Sequence, residues 1–117
     1  MTTEMFTEKI KGAIGLSIKA GKCAIGTNAC LDKMRAGRGK LLVVANDASE
    51  NTKDKLLSTA KCYGVPYLFF DAGKAEFAKL AGKKSDTASF LITEDGFVKI
   101  IEKLGIEIHL THTEVLN

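Results

Sequence analysis

The amino-acid sequence predicts an α/β protein: a three-layer α/β/α sandwich around a small, four-stranded, mixed and mostly parallel sheet. Segments with the period of an amphipathic helix alternate with short apolar runs, in the order α, β, α, β, α, β, α, β, α. One run, residues 41–45, is apolar throughout, as a strand covered by helices on both faces requires. A chain of 117 residues with 45% hydrophobic residues has the size and composition of one folded domain. We therefore expect a single domain over residues 1–117, with residues 104–117 as a C-terminal extension.

The first helix and the first strand are predicted over residues 4–19 and 23–25. Apolar side chains recur at helical spacing through the first segment, and Gly21 follows it where a helix-ending glycine is expected. The second segment, Cys-Ala-Ile, is short and extended. Because so short a strand suits the edge of a sheet, one edge can pair antiparallel.

A glycine turn separates this strand from the second helix. Gly26 breaks the strand, and either Thr27 or Asn28 can cap a helix that extends to residue 35 or 36. The Gly-Arg-Gly triplet at residues 37–39 ends that helix. The apolar run that follows is predicted to be the central strand of the sheet.

The third helix is predicted to begin at Ser49, whose hydroxyl can cap it, and to end near residue 63, before Gly64. Residues 65–70, with the sequence VPYLFF, predict a second buried strand, with its proline where a strand can begin. The aspartates in the loops after these two strands, Asp47 and Asp71, suit turns and helix caps better than acid–base catalysis.

The last three elements are a short helix over residues 74–81, a third buried strand over residues 89–92 and a closing helix. Gly82 ends the short helix. The closing helix is predicted from an apolar stripe at positions i, i+3, i+4 and i+7, which comprises Phe97, Ile100, Ile101 and Leu104.

Three cysteines, Cys23, Cys30 and Cys62, are an odd number without a C-x-x-C pair, which favours a reducing compartment over a disulfide framework. We expect packing roles for these thiols. Cys62 is predicted to be buried because it follows the apolar helix positions Leu56 and Ala60.

The second helix is predicted to pack on the sheet through an apolar stripe of Cys30, Leu31 and Met34, and Asp32 is predicted to face solvent. The only histidines lie near the end of the chain, and their H-x-x-H spacing suits a solvated tail better than a metal site. The alternating apolar residues at 106–110 are open to three interpretations: an extra strand, a partner-binding edge or a frayed end.

The positive charge is concentrated in the first third of the chain. Residues 1–40 contain eight Lys or Arg and three Asp or Glu, a local charge of +5, whereas residues 41–117 contain nine and eleven, a local charge of −2. These sum to the net charge of +3. A basic region beside a glycine turn suits contact with phosphates, although lysines on amphipathic helices are also common on plain solvated faces.

Several function classes lack their signals. No G-x-G-x-x-G or G-x-x-x-x-G-K-[ST] motif follows a strand, which disfavours a nucleotide-binding enzyme, and no cofactor or metal site is indicated. No apolar run has the roughly 18 residues that a membrane helix needs, and the N-terminus lacks a signal-peptide pattern. We expect a cytoplasmic, non-catalytic, monomeric protein that binds no membrane.

Five spaced motifs, in order, carry a family resemblance over residues 14–104: GLSIKAGKCAIGTN, GRGKLLVVANDASENTKDKL, YGVPYLFF, LAGKK and ITEDGF. With these motifs the chain resembles the kink-turn RNA-binding superfamily of ribosomal proteins, which includes the archaeal L-seven-Ae and eukaryotic L-thirty-e types. Within the superfamily it is most similar to the bacterial YlxQ-like branch. The resemblance implies the same α/β/α fold, and structured RNA, including ribosomal RNA, as the partner.

The resemblance also implies which residues contact RNA. In the family, the glycine turn and the helix after it enter the groove of a sharply bent RNA, where an asparagine reads sheared G·A pairs. A second contact comes from the loop before the last strand, which packs under a flipped-out base. Carried onto this sequence, the implied RNA-binding residues are Lys22, Gly26, Thr27, Asn28, Lys33, Arg35, Arg38, Lys40, Lys83, Lys84, Ser85, Thr87 and Ala88.

Two positions depart from the family pattern. Kink-turn readers usually carry a glutamate or glutamine directly after the asparagine and a lysine three residues further on, whereas this chain has Ala29 and Asp32. Two hypotheses therefore stand. The first is an RNA-binding protein, with ribosome association as one form of it. The second is a protein-interaction adaptor on the same scaffold, in which kink-turn recognition is weakened or lost.

Overall fold

The computed structural model describes residues 3–70 and 73–103, in which helices and strands alternate in the predicted order. The helices are α1 (Thr3–Lys19), α2 (Thr27–Arg35), α3 (Glu50–Cys62), α4 (Lys74–Ala81) and α5 (Asp95–Lys103). The strands are β1 (Cys23–Ile25), β2 (Leu41–Ala45), β3 (Tyr67–Phe70) and β4 (Ser89–Ile92). The predictions made for Asp71, Leu104, the two histidines and residues 106–110 lie outside the described residues.

Helices cover both faces of the sheet, which confirms the three-layer α/β/α sandwich. Side chains alternate along β2, so that Leu41, Val43 and Ala45 pack with α1, α4 and α5, while Leu42 and Val44 pack with α2 and α3. All five residues are buried, which confirms β2 as a central strand.

The strand order is β1-β4-β2-β3, and β4 runs antiparallel to both of its neighbours. Only β2 and β3 pair in parallel. The prediction of a mostly parallel sheet is therefore wrong for the pairings, although the predicted antiparallel edge at β1 is confirmed. The physical reason is that β4 inserts between two strands that point the other way, so one reversed strand makes two antiparallel ladders.

The strand β3, predicted to be buried, lies at the edge of the sheet and is only partly buried. Leu68 and Phe70 are buried, but Phe69 is 43% exposed on the other face. The Lys53 ammonium lies 5.8 Å from the centre of the Phe69 ring, and Tyr67 meets that ring edge-on at 5.8 Å. An apolar run does not distinguish an edge strand from an interior one, which explains the error.

The apolar stripe of α5 also occupies a different face from the predicted one. Val98 and Ile101 are buried and Phe97 packs partly against the same core, whereas Ile100 is 44% exposed. The helix is thus rotated so that Val98 replaces Ile100 on the buried side.

The three cysteines differ in their surroundings. Cys30 is buried and Cys23 is partly buried, and burial raises the pKa of the Cys23 thiol to about 11 and that of Cys30 to about 12. Cys62 is exposed, so its predicted burial is wrong. It lies two residues after the buried Ala60, and two residues turn a helix by about 200°, away from the core.

Thiol labelling is expected to separate these cysteines. In the native protein at pH 8, a disulfide reagent should modify Cys62 fast and leave Cys23 and Cys30 almost unmodified. Each unit of raised pKa lowers the thiolate fraction about tenfold, and burial also blocks access. The Cys62→Ser variant should lose the fast phase, and guanidinium should expose the remaining thiols. A fast phase that persists in Cys62→Ser would contradict the placement.

Candidate nucleic-acid interface

The turn before α2 is formed by Gly26, which has φ 93° and ψ 161°. This combination is nearly restricted to glycine because a side chain there would clash with the backbone. The Gly26 carbonyl accepts the first helical hydrogen bond from the Cys30 N–H at 3.0 Å. The N-cap of α2 is therefore Gly26 and not Thr27 or Asn28 as predicted, because the helix already begins at Thr27.

The N-terminus of α2 carries no side-chain cap. The N–H groups of Thr27, Asn28 and Ala29 precede the first residue able to bond back into the helix, so they have no intrahelical acceptor. Asn28 and Ala29 are exposed and Thr27 is half-buried. Free N–H groups and the positive end of the helix dipole favour an anion at this position.

Two segments that are far apart in the sequence meet at this edge of the sheet. The Gly26 N–H donates to the Ser89 carbonyl at 2.9 Å, and the Ala45 N–H donates to the Ala88 carbonyl at 2.9 Å. The ends of β1 and β2 and the start of β4 therefore lie side by side. As a result, the glycine turn is joined directly to the strand that follows the loop of residues 83–88.

The residues of that loop are not equally accessible. Lys83, Lys84 and Ser85 are exposed and Ala88 is half-buried. Thr87 is only 5% exposed, and its N–H donates to the Lys74 carbonyl at 3.2 Å. Thr87 thus holds the loop against the start of α4, and its side chain, included among the predicted RNA contacts, lies below the exposed surface.

Part of this edge was not predicted from the sequence. Asn46 and Asp47, directly after β2, lie beside Ala88 and are exposed. The Asp47 carboxylate accepts a hydrogen bond from the Lys74 N–H at 2.9 Å. Asp47 therefore has the predicted capping role, and the helix that it caps is α4. Ser49 caps α3, as predicted, through the Thr52 N–H at 3.1 Å. The position of Asn46 directly after a predicted central strand is the sequence signal that could have placed it at this edge.

The helix α2 packs on the sheet as predicted, through Cys30, Leu31 and Met34. Its outer surface carries Asp32, which is exposed as predicted, and Arg35, whose guanidinium lies 3.9 Å from the Asp32 carboxylate. This exposed pair contributes little to stability. Asp32 lies four residues after Asn28, so these two residues occupy the same helical face. Lys33 lies four residues after Ala29 and shares a face with that residue in the same way.

The remaining predicted basic residues lie elsewhere. Lys22, Lys33, Arg38 and Lys40 line a cleft of about 380 Å³ at the C-terminal end of α2. This end of the sheet, where β1 and β2 begin and β4 ends, is opposite the Gly26 turn. The structure thus divides the predicted site into a turn region (residues 26–28 and 83–88) and a basic cleft.

Comparison with known proteins identifies the family. The sequence model of the "Ribosomal protein L7Ae/L30e/S12e/Gadd45 family" matches residues 8–102. The chain belongs to this family.

Individual members of the L7Ae/L30e/S12e/Gadd45 family align over most of the chain. The RNA-binding protein YlxQ of Enterococcus faecium is 36% identical over 97 residues, which cover 83% of this chain and 91% of that protein. The large ribosomal subunit protein eL30 of Methanothermobacter thermautotrophicus is 25% identical over 96 residues, which cover 82% of this chain and 98% of that protein. These alignments confirm the resemblance to the superfamily and to its YlxQ-like branch.

Solved structures support the same fold. A protein of unknown function from Bacillus halodurans superposes with a TM-score of 0.73 and 22% identity, covering 82% of this chain and 95% of that one. The Giardia lamblia 15.5kD RNA binding protein superposes with a TM-score of 0.67 and 18% identity, covering 89% of this chain and 88% of that one. At these identities the likeness concerns the fold alone.

Two kinds of feature are absent from residues 3–70 and 73–103. No helix in these ranges is long and apolar enough to cross a membrane. No group of three or more His, Cys, Asp or Glu side chains there is arranged to hold a metal ion.

Proposed function

We propose that this chain is a non-catalytic RNA-binding protein that contacts structured RNA through the Gly26 turn and α2. The observation that carries the proposal is the 2.9 Å hydrogen bond from Gly26 to Ser89, which joins the uncapped N-terminus of α2 to the segment after residues 83–88. The family resemblance implicates two segments in RNA contact, the Gly26 turn with α2 and the loop of residues 83–88, which Ser89 directly follows. The names of the relatives YlxQ and eL30 are consistent with an RNA partner.

Each part of the turn region has a distinct role in this proposal. The N–H groups of Thr27 and Ala29 donate to phosphate oxygens, and glycine at position 26 allows the backbone to approach closely. The Asn28 amide donates and accepts at once, as the recognition of a base edge requires. Lys83 and Lys84 add attraction to the phosphate backbone that does not depend on sequence and that salt weakens.

We propose a kink-turn, with its sharp bend and sheared G·A pairs, as the RNA element. The test is a titration of the protein against a kink-turn RNA and a matched duplex without the bend, at two salt concentrations. Preference for the kink-turn that survives the higher salt supports the proposal. Equal, salt-sensitive binding to both RNAs, or no binding, contradicts kink-turn recognition.

The site assignment has its own test. The double variant Asn28→Ala with Lys33→Ala is expected to lose at least tenfold in RNA affinity, since it removes a base-edge contact and a charge on α2. Lys99→Ala is the matched control, because Lys99 is exposed on α5 in the opposite helical layer. If the double variant binds RNA like the control, the assignment to α2 is wrong.

Reversing the charge of Asp32 is expected to strengthen RNA binding. Asp32 is exposed one turn after Asn28, so its carboxylate repels phosphates bound at the helix N-terminus. Asp32→Lys removes this repulsion and adds an attraction, which should tighten binding by roughly three- to tenfold at low salt. Glu102→Lys, an equal charge change on α5, should give a smaller gain. Equal gains from both variants would show that only net charge matters.

The exposed Ala29 and Asp32 favour a second candidate function, a protein-interaction adaptor on the same scaffold. Partners recovered with the protein should then remain after nuclease treatment. Partners that disappear after nuclease treatment count against the adaptor and in favour of RNA.

A further inference from the structure

The basic cleft is formed by four separate segments of the chain. Lys22 comes from the turn before β1, Lys33 from the last turn of α2, and Arg38 and Lys40 from the turn before β2. Thr93, directly after β4, completes the wall. The cleft has a volume of about 380 Å³, which is within the range of small-molecule sites and too small for a nucleic-acid helix.

The charge in this cleft has one sign. Lys22, Lys33, Arg38 and Lys40 bring four positive charges, and the described residues that line the cleft include no acidic side chain. A counter-charge lies beside the cleft at Glu94, whose carboxylate is 4.0 Å from the Lys22 ammonium, and both side chains are about half exposed. An exposed pair at that distance neutralises little of the cleft.

The helix dipole does not account for this arrangement. A lysine in the last turn of α2, such as Lys33, interacts favourably with the negative helix end. Lys22 and Lys40, however, lie outside the helix. Four cations that line one cleft repel one another, and an anion bound between them would offset this repulsion through its attraction to each of them.

The cleft walls are held in place by backbone hydrogen bonds. The Thr93 N–H donates to the Lys22 carbonyl at 2.9 Å, and the Lys40 N–H donates to the Ile92 carbonyl at 2.8 Å. The Arg38 N–H donates to the Lys33 carbonyl at 3.0 Å. The four segments are therefore fixed relative to one another before any ligand binds, which lowers the entropic cost of binding.

The turn between Arg38 and Lys40 is also packed tightly against the core. A Cβ added at Gly39 would lie 3.1 Å from Leu91 Cδ1 and 3.2 Å from both Met34 Cγ and Val65 Cγ2. Contacts that short leave no room for the turn to move inward. The backbone from which Arg38 and Lys40 extend is therefore fixed beside the cleft.

We propose that the basic cleft is an anion site that binds a compact chain of phosphates, separate from the Gly26 turn. The guanidinium of Arg38 offers a planar fork of donors, the three lysines offer point charges, and the Thr93 hydroxyl can donate one more hydrogen bond. The phosphates come either from a free oligophosphate, such as the polyphosphate part of a nucleotide, or from the backbone of a bound RNA. The site does not depend on the proposed RNA function.

The test uses inorganic tripolyphosphate as the probe and isothermal titration calorimetry of the whole protein. The wild-type protein should bind it, and the variant with Lys22→Gln and Arg38→Gln should bind it at least tenfold more weakly. The matched control has Lys61→Gln and Lys99→Gln, two exposed lysines outside the cleft. Circular dichroism should show all three proteins folded. Equal binding by the variant and the control overturns the site.

A competition experiment then distinguishes the two sources of phosphate. If tripolyphosphate displaces bound RNA and the cleft variant also binds RNA more weakly than the control, the phosphates belong to the RNA backbone. If RNA affinity is unchanged in the variant and tripolyphosphate does not compete, the ligand is a free oligophosphate. If the chain binds no RNA but still binds tripolyphosphate through the cleft, the proposed function fails and the anion site stands.

Discussion

The Gly26→Ala variant is expected to lose most of its RNA affinity, by at least tenfold. Gly26 has φ 93° and ψ 161°, a conformation that a residue with a Cβ adopts only at a cost of about 1–3 kcal/mol. No atom lies within 4 Å of the added Cβ, so the effect comes from backbone strain and not from a clash with a neighbour. Relief of that strain would rotate the peptide that holds the N-terminus of α2 beside Ser89.

The control is Gly12→Ala in α1, where the added Cβ also meets no atom within 4 Å but the backbone is helical. That substitution should stabilise the protein by up to about 1 kcal/mol and leave RNA binding unchanged. Urea unfolding measures the stability of both variants, and the titration against kink-turn RNA measures affinity. A Gly26→Ala protein that binds RNA like Gly12→Ala would show that this turn does not contact the RNA.

Truncation of Phe77 is expected to give the largest loss of stability. Its side chain is fully buried and stacks on Phe90, with ring centroids 4.7 Å apart and planes inclined by 15°, and it also approaches Phe70 at 5.9 Å. Phe77→Ala removes the largest buried side chain of α4 from the core and leaves a cavity. The expected loss is about 3–5 kcal/mol. This is a large part of the roughly 5–15 kcal/mol that stabilises a typical domain.

Phe69→Ala is the matched control because it removes the same atoms at the sheet edge, where the ring is 43% exposed. Less apolar surface returns to water and solvent fills the space, so the loss should be about 2 kcal/mol or less. Urea unfolding of both variants gives the comparison. Equal losses would contradict the placement of Phe77 in the core and Phe69 at the edge.

Much of the local structure could be predicted from the sequence. The bounds of β1, α4 and β4 and the apolar stripe of α2 agree with their predictions, because side-chain period, capping residues and glycine stops act within a few residues of one another. The Gly26 turn was predicted for the same reason. The exact cap was not, since glycine, threonine and asparagine in succession all suit that position.

The candidate site was predicted only in pieces. The resemblance pointed to Asn28 and to the loop before β4 separately, and nothing local indicates that Gly26 donates to Ser89, 63 residues later in the chain. The basic residues were grouped by their closeness in sequence. The structure separates them because Asn28 and Arg38 lie at opposite ends of α2, so the cleft lined by Arg38 is distinct from the turn.

The kinds of elements, their order and the three-layer architecture follow from the amino-acid sequence alone, because these depend on periodicity and on turn residues that act locally. The insertion of β4 between β1 and β2, the edge position of β3 and the exposure of Cys62 are visible only in the folded chain. These features depend on hydrogen bonds and packing between segments far apart in the chain. Strand order is what brings the Gly26 turn to one end of the sheet and gathers four cations at the other.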